Sequence, residues 1–246
     1  MLNNQSQYFV NPWIVRLISG FVVYGILIVS SKFLVLFPAG PVSLYRADPY
    51  LMELILFSFT WLFLLIAAFL LILRKSFRIE WKNLYLYVGM MAFIGPIGEV
   101  FINSFCRFFF GSPLWTYLIF PVHNGDTSKY SFFLWSLYGI YLYFLHQKFP
   151  LDFQQKKYYL APSFIMAFDA ITLEFLMNIS SLVFLSTFIF YYFPSDVLHL
   201  TTLAASPFYF VGGIVVIRTL KRFSRDPWFF GTMSFLIAAT FIFLGS

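Results

Sequence analysis

Apolar residues run in blocks of about 20, the length that crosses a ~30 Å hydrocarbon core as a helix. The blocks fall at residues 13–37, 50–73, 84–110, 130–147, 159–193, 201–218 and 227–245. Short polar or Pro/Gly-containing stretches separate them, and no interval is long enough for a separate water-soluble unit. The pattern predicts an all-α, polytopic membrane helix bundle of about seven transmembrane helices, forming one integral membrane domain over 1–246. The fifth block is the exception. As one helix its 35 or so residues would reach about 52 Å, so it reads as one long tilted helix or as two spans.

Charge placement favours one span there. With a single fifth helix, one side of the membrane holds Arg16, Arg74, Lys75, Arg78, Lys82, Lys148, Lys156, Lys157, Arg218, Lys221, Arg222 and Arg225. The other holds Lys32, Arg46, Arg107 and Lys129. That asymmetry follows the positive-inside rule and predicts an N-terminus inside and a C-terminus outside. Splitting the block would move the Arg218–Arg225 group outside and spoil it. The N-terminal MLNNQSQYFVNPW has neither a positive n-region nor a small-residue cleavage site, so no cleaved signal peptide is expected. The inner loops are short and basic, suited to anionic headgroups. The outer ones, FPAGPVSLYRADPY, GSPLWTYLIFPVHNGDTSK and FPSDVLHLT, are Pro- and aromatic-rich and read as a structured interfacial cap.

Composition agrees. Hydrophobic residues make up 61%, charged residues 11%, and mean hydropathy is +0.82, against roughly 25% charged residues in soluble domains. The 36 Phe and 16 Tyr suit apolar spans and interfacial belts. Cys106 is the sole cysteine, which excludes an intrachain disulfide and a multi-Cys metal site. No basic block interleaved with aromatics suggests nucleic-acid binding. There is no P-loop, dinucleotide fingerprint, HExxH or nucleophile elbow, so no cofactor and no metal is expected.

The chemistry that remains is carboxylates inside spans, which are costly in a bilayer and mark functional candidates. Glu53 lies near the outer end of the second block and reads as a salt-bridge partner for Lys32. Glu99, Asp169 and Glu174 lie deeper, with no Lys or Arg at their depth, and are the candidate catalytic acids. Such acids must be protonated, hydrogen-bonded to Asn103, Asn178, Ser180 or Tyr hydroxyls, or exposed to a watery cavity. A neutral carboxyl in a dry aromatic pocket is a proton donor; the same group serves equally as interhelical hydrogen-bond glue. Glu99, Asn103 and Arg107 share an arc of about 80° on one helix. Gly95-Pro96-Ile97-Gly98 just before them predicts a kink. Glu99-x3-Asn103 recurs as Glu174-x3-Asn178, an echo that would be a parallel repeat. Asn103, Asn178, Trp115, Tyr117 and Arg107 are the candidate substrate-binding residues.

Phe110-Gly111-Ser112-Pro113-Leu114-Trp115-Thr116-Tyr117, then Asn124-Gly125, Tyr130-Ser131 and a Trp135-to-Gly139 helix resemble a bacterial multi-pass family known as putative ABC-transporter type IV membrane proteins. That family shows a Trp-Asp-Tyr, Asn-x-x-Gly, Trp-Gly series. Here Thr116 stands in place of the Asp, and Asn124-Gly125 lacks the spacer. This resemblance implies a transport-related protein of the bacterial inner membrane. A looser similarity runs to membrane carotenoid-biosynthesis proteins: an acid (Glu99) ahead of a Gly/Pro-aromatic exit (Pro113–Tyr117), and another acid (Asp169) on a later helix. It implies acid–base chemistry on an isoprenoid chain. Three functions therefore stay open: a protein that binds or modifies a lipid or isoprenoid through intramembrane carboxylates, a small transporter or proton-coupled permease, and a scaffold subunit of a membrane complex. The expected partners are membrane lipid, a small hydrophobic substrate and a further membrane protein.

Overall fold

The structure, a computed structural model, describes residues 51–73, 79–148 and 157–244. The predicted span at 13–37, Lys32 as partner of Glu53, and the basic loop residues at 74–78 and 149–156 lie outside the described residues. Six long helices are described: α1 (Leu51–Leu73), α2 (Trp81–Phe110), α3 (Ser131–Lys148), α4 (Lys157–Phe184), α5 (Ser206–Phe223) and α6 (Pro227–Leu244). Among the described residues, four helices are long and apolar enough to cross a membrane, namely α2, α4, α5 and α6. Their outward faces carry large exposed apolar side chains such as Phe101, Phe108, Phe164, Val211 and Leu236, which is the expected surface against lipid.

Between the helices lie four short strands. β1 (Trp115–Tyr117) follows α2, β2 (Pro121–Val122) and β3 (Thr127–Ser128) form a hairpin, and β4 (Phe190–Tyr192) follows α4. β1 and β4 pair antiparallel, with Thr116 opposite Tyr191 at the centre. The fifth apolar block is therefore neither one long helix nor two. It is a helix that stops at Phe184, then a buried strand. Both fall within one predominantly apolar block, so hydropathy could not separate them. α2 runs from Trp81 to Phe110 as one helix with Pro96 inside it. Gly95 serves a packing role, since a Cβ there would sit 2.1 Å from the Trp135 ring.

The chain is built twice over. α2–β1–α3 is followed by α4–β4–α5, and the two copies meet through β1 and β4. The Leu118 N–H donates to the Ile189 carbonyl at 2.9 Å, and its counterpart Phe193 N–H donates to the Leu114 carbonyl at 3.0 Å. The register is self-complementary about Thr116 and Tyr191, as at a two-fold interface. α2 and α4 both run opposite to α5: Phe105 of α2 meets Phe208 while Leu86 clusters with Leu220, and Glu174 of α4 meets Tyr209 while Tyr159 lies under Arg218, so α2 and α4 run the same way and the repeat is parallel. Within each copy a glycine lets the helices approach. A Cβ on Gly139 of α3 would lie 2.8 Å from the Val88 Cα on α2, and one on Gly213 of α5 would lie 2.9 Å from the Ser163 Cα on α4. Small residues at such contacts are the usual solution in lipid, where close van der Waals packing replaces the hydrophobic drive.

Gly139→Ala and Gly213→Ala are expected to lower the thermal unfolding midpoint in detergent, each by an overpacking cost of about 1–3 kcal/mol. Gly212→Ala, whose Cβ would meet nothing within 4 Å, is expected to leave the midpoint unchanged. Equal behaviour of Gly212 and Gly213 variants would refute the contact.

Candidate functional site

The connection after α2 turns back into the bundle. Gly111 caps α2 in the left-handed region (φ 79°), where glycine is favoured. The chain then descends beside the helix it has just left. Asn103 lies roughly 12 Å below the cap at 1.5 Å per residue, yet its carboxamide touches β1: Nδ2 donates to the Trp115 carbonyl at 3.0 Å, and Oδ1 accepts the Leu114 N–H at 2.9 Å and the Trp115 N–H at 3.3 Å. Asn178 repeats this in the second copy. Its Nδ2 donates to the Phe190 carbonyl at 2.8 Å and the Leu200 carbonyl at 2.7 Å, while Oδ1 accepts the Ile189 and Phe190 N–H groups. Both asparagines are fully buried. Each is thus a clamp for strand backbone.

One turn deeper on each helix sits a glutamate. Glu99 accepts hydrogen bonds from the Tyr117 hydroxyl, from Thr127 Oγ1 at 2.5 Å and from Trp135 Nε1 at 2.8 Å. Glu174 accepts from the Tyr209 hydroxyl and from Thr201 Oγ1 at 3.0 Å, and the Tyr192 hydroxyl lies 3.3 Å from that of Tyr209. The two sets match in two members, a threonine after the turn and an aromatic donor near the start of the next helix, while the strand tyrosine of the second set, Tyr192, meets Tyr209 instead of the acid. Phenols, hydroxyls and an indole supply every contact, and no salt bridge to either acid occurs among the described residues.

Glu99 and Glu174 line one cavity with Trp61, Trp135, Tyr138 and Phe190; it encloses about 680 Å³ of empty space, open solvent included. A second cavity shares Glu99, Trp135, Tyr138 and Ala170 with the first and extends towards Tyr209 and Gly213. The candidate residues thus separate by role. Glu99, Glu174 and Tyr117 face the first cavity, and Trp115 lines the second. Asp169 accepts the Tyr141 hydroxyl, and Tyr141 lines the first cavity. Arg107 forms an ion pair with Asp126 and so pins the β2–β3 hairpin to the end of α2. Ser180 accepts the Trp61 Nε1–H at 3.0 Å instead of touching an acid. His123 Nε2 is 2.9 Å from the Phe241 carbonyl, and His199 Nδ1 is 2.8 Å from the Tyr192 carbonyl. Nothing in the sequence marks Thr127, Thr201 or Tyr209 as partners of the acids, although the Glu-x3-Asn echo offered a signal through matching spacing.

Comparison with family models, with curated proteins and with solved structures finds no match to this chain.

Asn103→Ala and Asn178→Ala each leave buried backbone groups without partners, at about 1–3 kcal/mol per group. Both are expected to lower the thermal unfolding midpoint sharply, with Asn178→Ala releasing the Leu200 carbonyl in addition. For Arg107, replacement by Gln is expected to destabilise by stranding the buried Asp126 carboxylate. The double change Arg107→Gln/Asp126→Asn is expected to recover part of that loss. Additive losses in such a cycle would show that the pair does not act as a unit.

Proposed function

We propose that this is a seven-span membrane protein that binds, and through Glu99 and Glu174 modifies, a lipid or isoprenoid in a cavity at the repeat interface. One observation carries the reading: two buried carboxyl groups, Glu99 set by three neutral donors and Glu174 by two, face a single aromatic-lined cavity. Apolar walls with a few convergent polar groups are the usual make-up of a small-molecule site. A carboxyl group held neutral in such a place donates its proton to a bound ligand. Asp169, joined to the cavity wall through Tyr141, is the third acid in this scheme. The first span is placed at 13–37, the N-terminus on the cytoplasmic side, and the protein in a bacterial inner membrane, on the charge asymmetry and the resemblances given above.

A second reading, a small proton-coupled transporter, draws support from the parallel repeat. Transporters built from repeats bind substrate between them near mid-membrane, where Glu99 and Glu174 lie in this arrangement. A further membrane protein as partner belongs to the scaffold reading, which has no site of its own to support it.

Native mass spectrometry of the detergent-purified full-length chain, with lipid identification, separates these outcomes. The wild type is expected to retain a defined apolar lipid, and Glu99→Gln and Glu174→Gln to lose or change it while unfolding at similar temperatures. Identical bulk phospholipid in all three proteins would sink the lipid-site reading. Proton-coupled flux in vesicles, abolished by Glu99→Gln, would replace it with the transporter.

A further inference from the structure

From the hydrogen bonds of the two acids we infer the head group of the cavity's ligand: an ammonium that carries N–H bonds, on an apolar chain. The inference rests on the ligand-cavity reading above and adds the chemical class. An ionised carboxylate offers about four acceptor positions. Glu99 uses three, for Tyr117, Thr127 and Trp135. Glu174 uses two, for Tyr209 and Thr201. Glu99 thus keeps one acceptor position and Glu174 two, and both side chains line the same cavity. These vacancies suit a ligand that donates hydrogen bonds to both acids.

Charge narrows the class. A neutral carboxyl keeps these contacts by carrying its proton at a vacant position; an amine that takes up that proton and fills the vacancies as an ammonium leaves the acid ionised, a form that the five O–H and N–H donors stabilise. No lysine, arginine or histidine lies within salt-bridge distance of either acid among the described residues. Two negative groups in an apolar interior require a compensating cation. The remaining wall suits one. Trp61, Trp135, Tyr138 and Phe190 present aromatic rings to the space between the acids, and such rings attract ammonium groups once water is excluded. Leu134, Leu137, Leu173 and Met177 complete a lining on which an alkyl or isoprenoid chain would lie.

The test uses three C14 probes with the full-length protein in zwitterionic nanodiscs: tetradecylamine, tetradecanol and tetradecyltrimethylammonium. The first has charge and N–H donors, the second an uncharged hydroxyl, the third charge without N–H. Affinity is read by native mass spectrometry against probe concentration. Tetradecylamine is expected to bind one-to-one and at least tenfold more tightly than either of the others. Glu99→Gln and Glu174→Gln are each expected to weaken it at least tenfold, whereas Glu80→Gln, an exposed charge at the opposite end of α2, is expected to leave it unchanged. Equal binding of the alcohol, or of the quaternary probe, would overturn the N–H-bearing cation. If the wild type then still retains a defined lipid that Glu99→Gln loses, the cavity stands as a lipid site and only its ligand class has failed. If no probe binds and no such lipid is retained, the cavity reading fails with it.

Discussion

The backbone of β1 and β4 lies inside an apolar helix bundle, and the whole arrangement depends on satisfying it. Non-helical chain at membrane depth survives only where protein supplies its hydrogen bonds. The two strands pair with each other, but each has a second edge facing a helix, which has no free backbone groups to offer. Asn103 and Asn178 solve this by bringing a carboxamide, one acceptor and one donor head, from the helix to the strand edge. Asparagine is short, so the strand must lie directly against its helix. That closeness in turn places Tyr117 one helical turn deeper, at Glu99, and Tyr192 beside Tyr209, the donor to Glu174.

Duplication makes the ribbon and the site one object. A strand docked this way in a single copy would leave its outer edge bare. The second copy covers that edge by the same residues in reverse register, so each half completes the other. The glutamates then lie on either side of the two-fold position and open into shared space. Asp169 stands outside the symmetry. Ile94 occupies the matching place on α2, and Tyr141, its partner, corresponds to an aliphatic position on α5. A third acid on one side only gives the two halves of the cavity different chemistry.

Several features were legible from residue order and others were misread for definable reasons. The α1, α2, α3 and α6 boundaries follow the apolar blocks at 50–73, 84–110, 130–147 and 227–245 within a few residues. The block at 201–218 is displaced, with α5 beginning at Ser206, because Thr201 and Thr202 belong to the turn that feeds Glu174 and the Asp196 cap. Glu99, Asn103 and Arg107 do share one face of α2. That face meets the re-entrant chain, with Asn103 on its backbone and Arg107 on Asp126. Pro96 leaves α2 unbroken, and its neighbour Gly95 makes room for Trp135, the indole that reaches Glu99. The loops after α2 and α4 are structured, but they enter the bundle instead of capping it.

The sequence by itself determined that long apolar helices form, that carboxyl groups lie within them, and that Glu-x3-Asn occurs twice. Those properties are local: hydropathy over about 20 residues and spacing along one helix are set by neighbours in the chain. Tertiary structure decided which strands leave the helices, what each asparagine holds, and that two acids far apart in sequence share a cavity. An apolar strand and an apolar helix have the same composition, and only a partner for the backbone tells them apart. For Phe190–Tyr192 that partner is Trp115–Tyr117, in the other copy of the repeat.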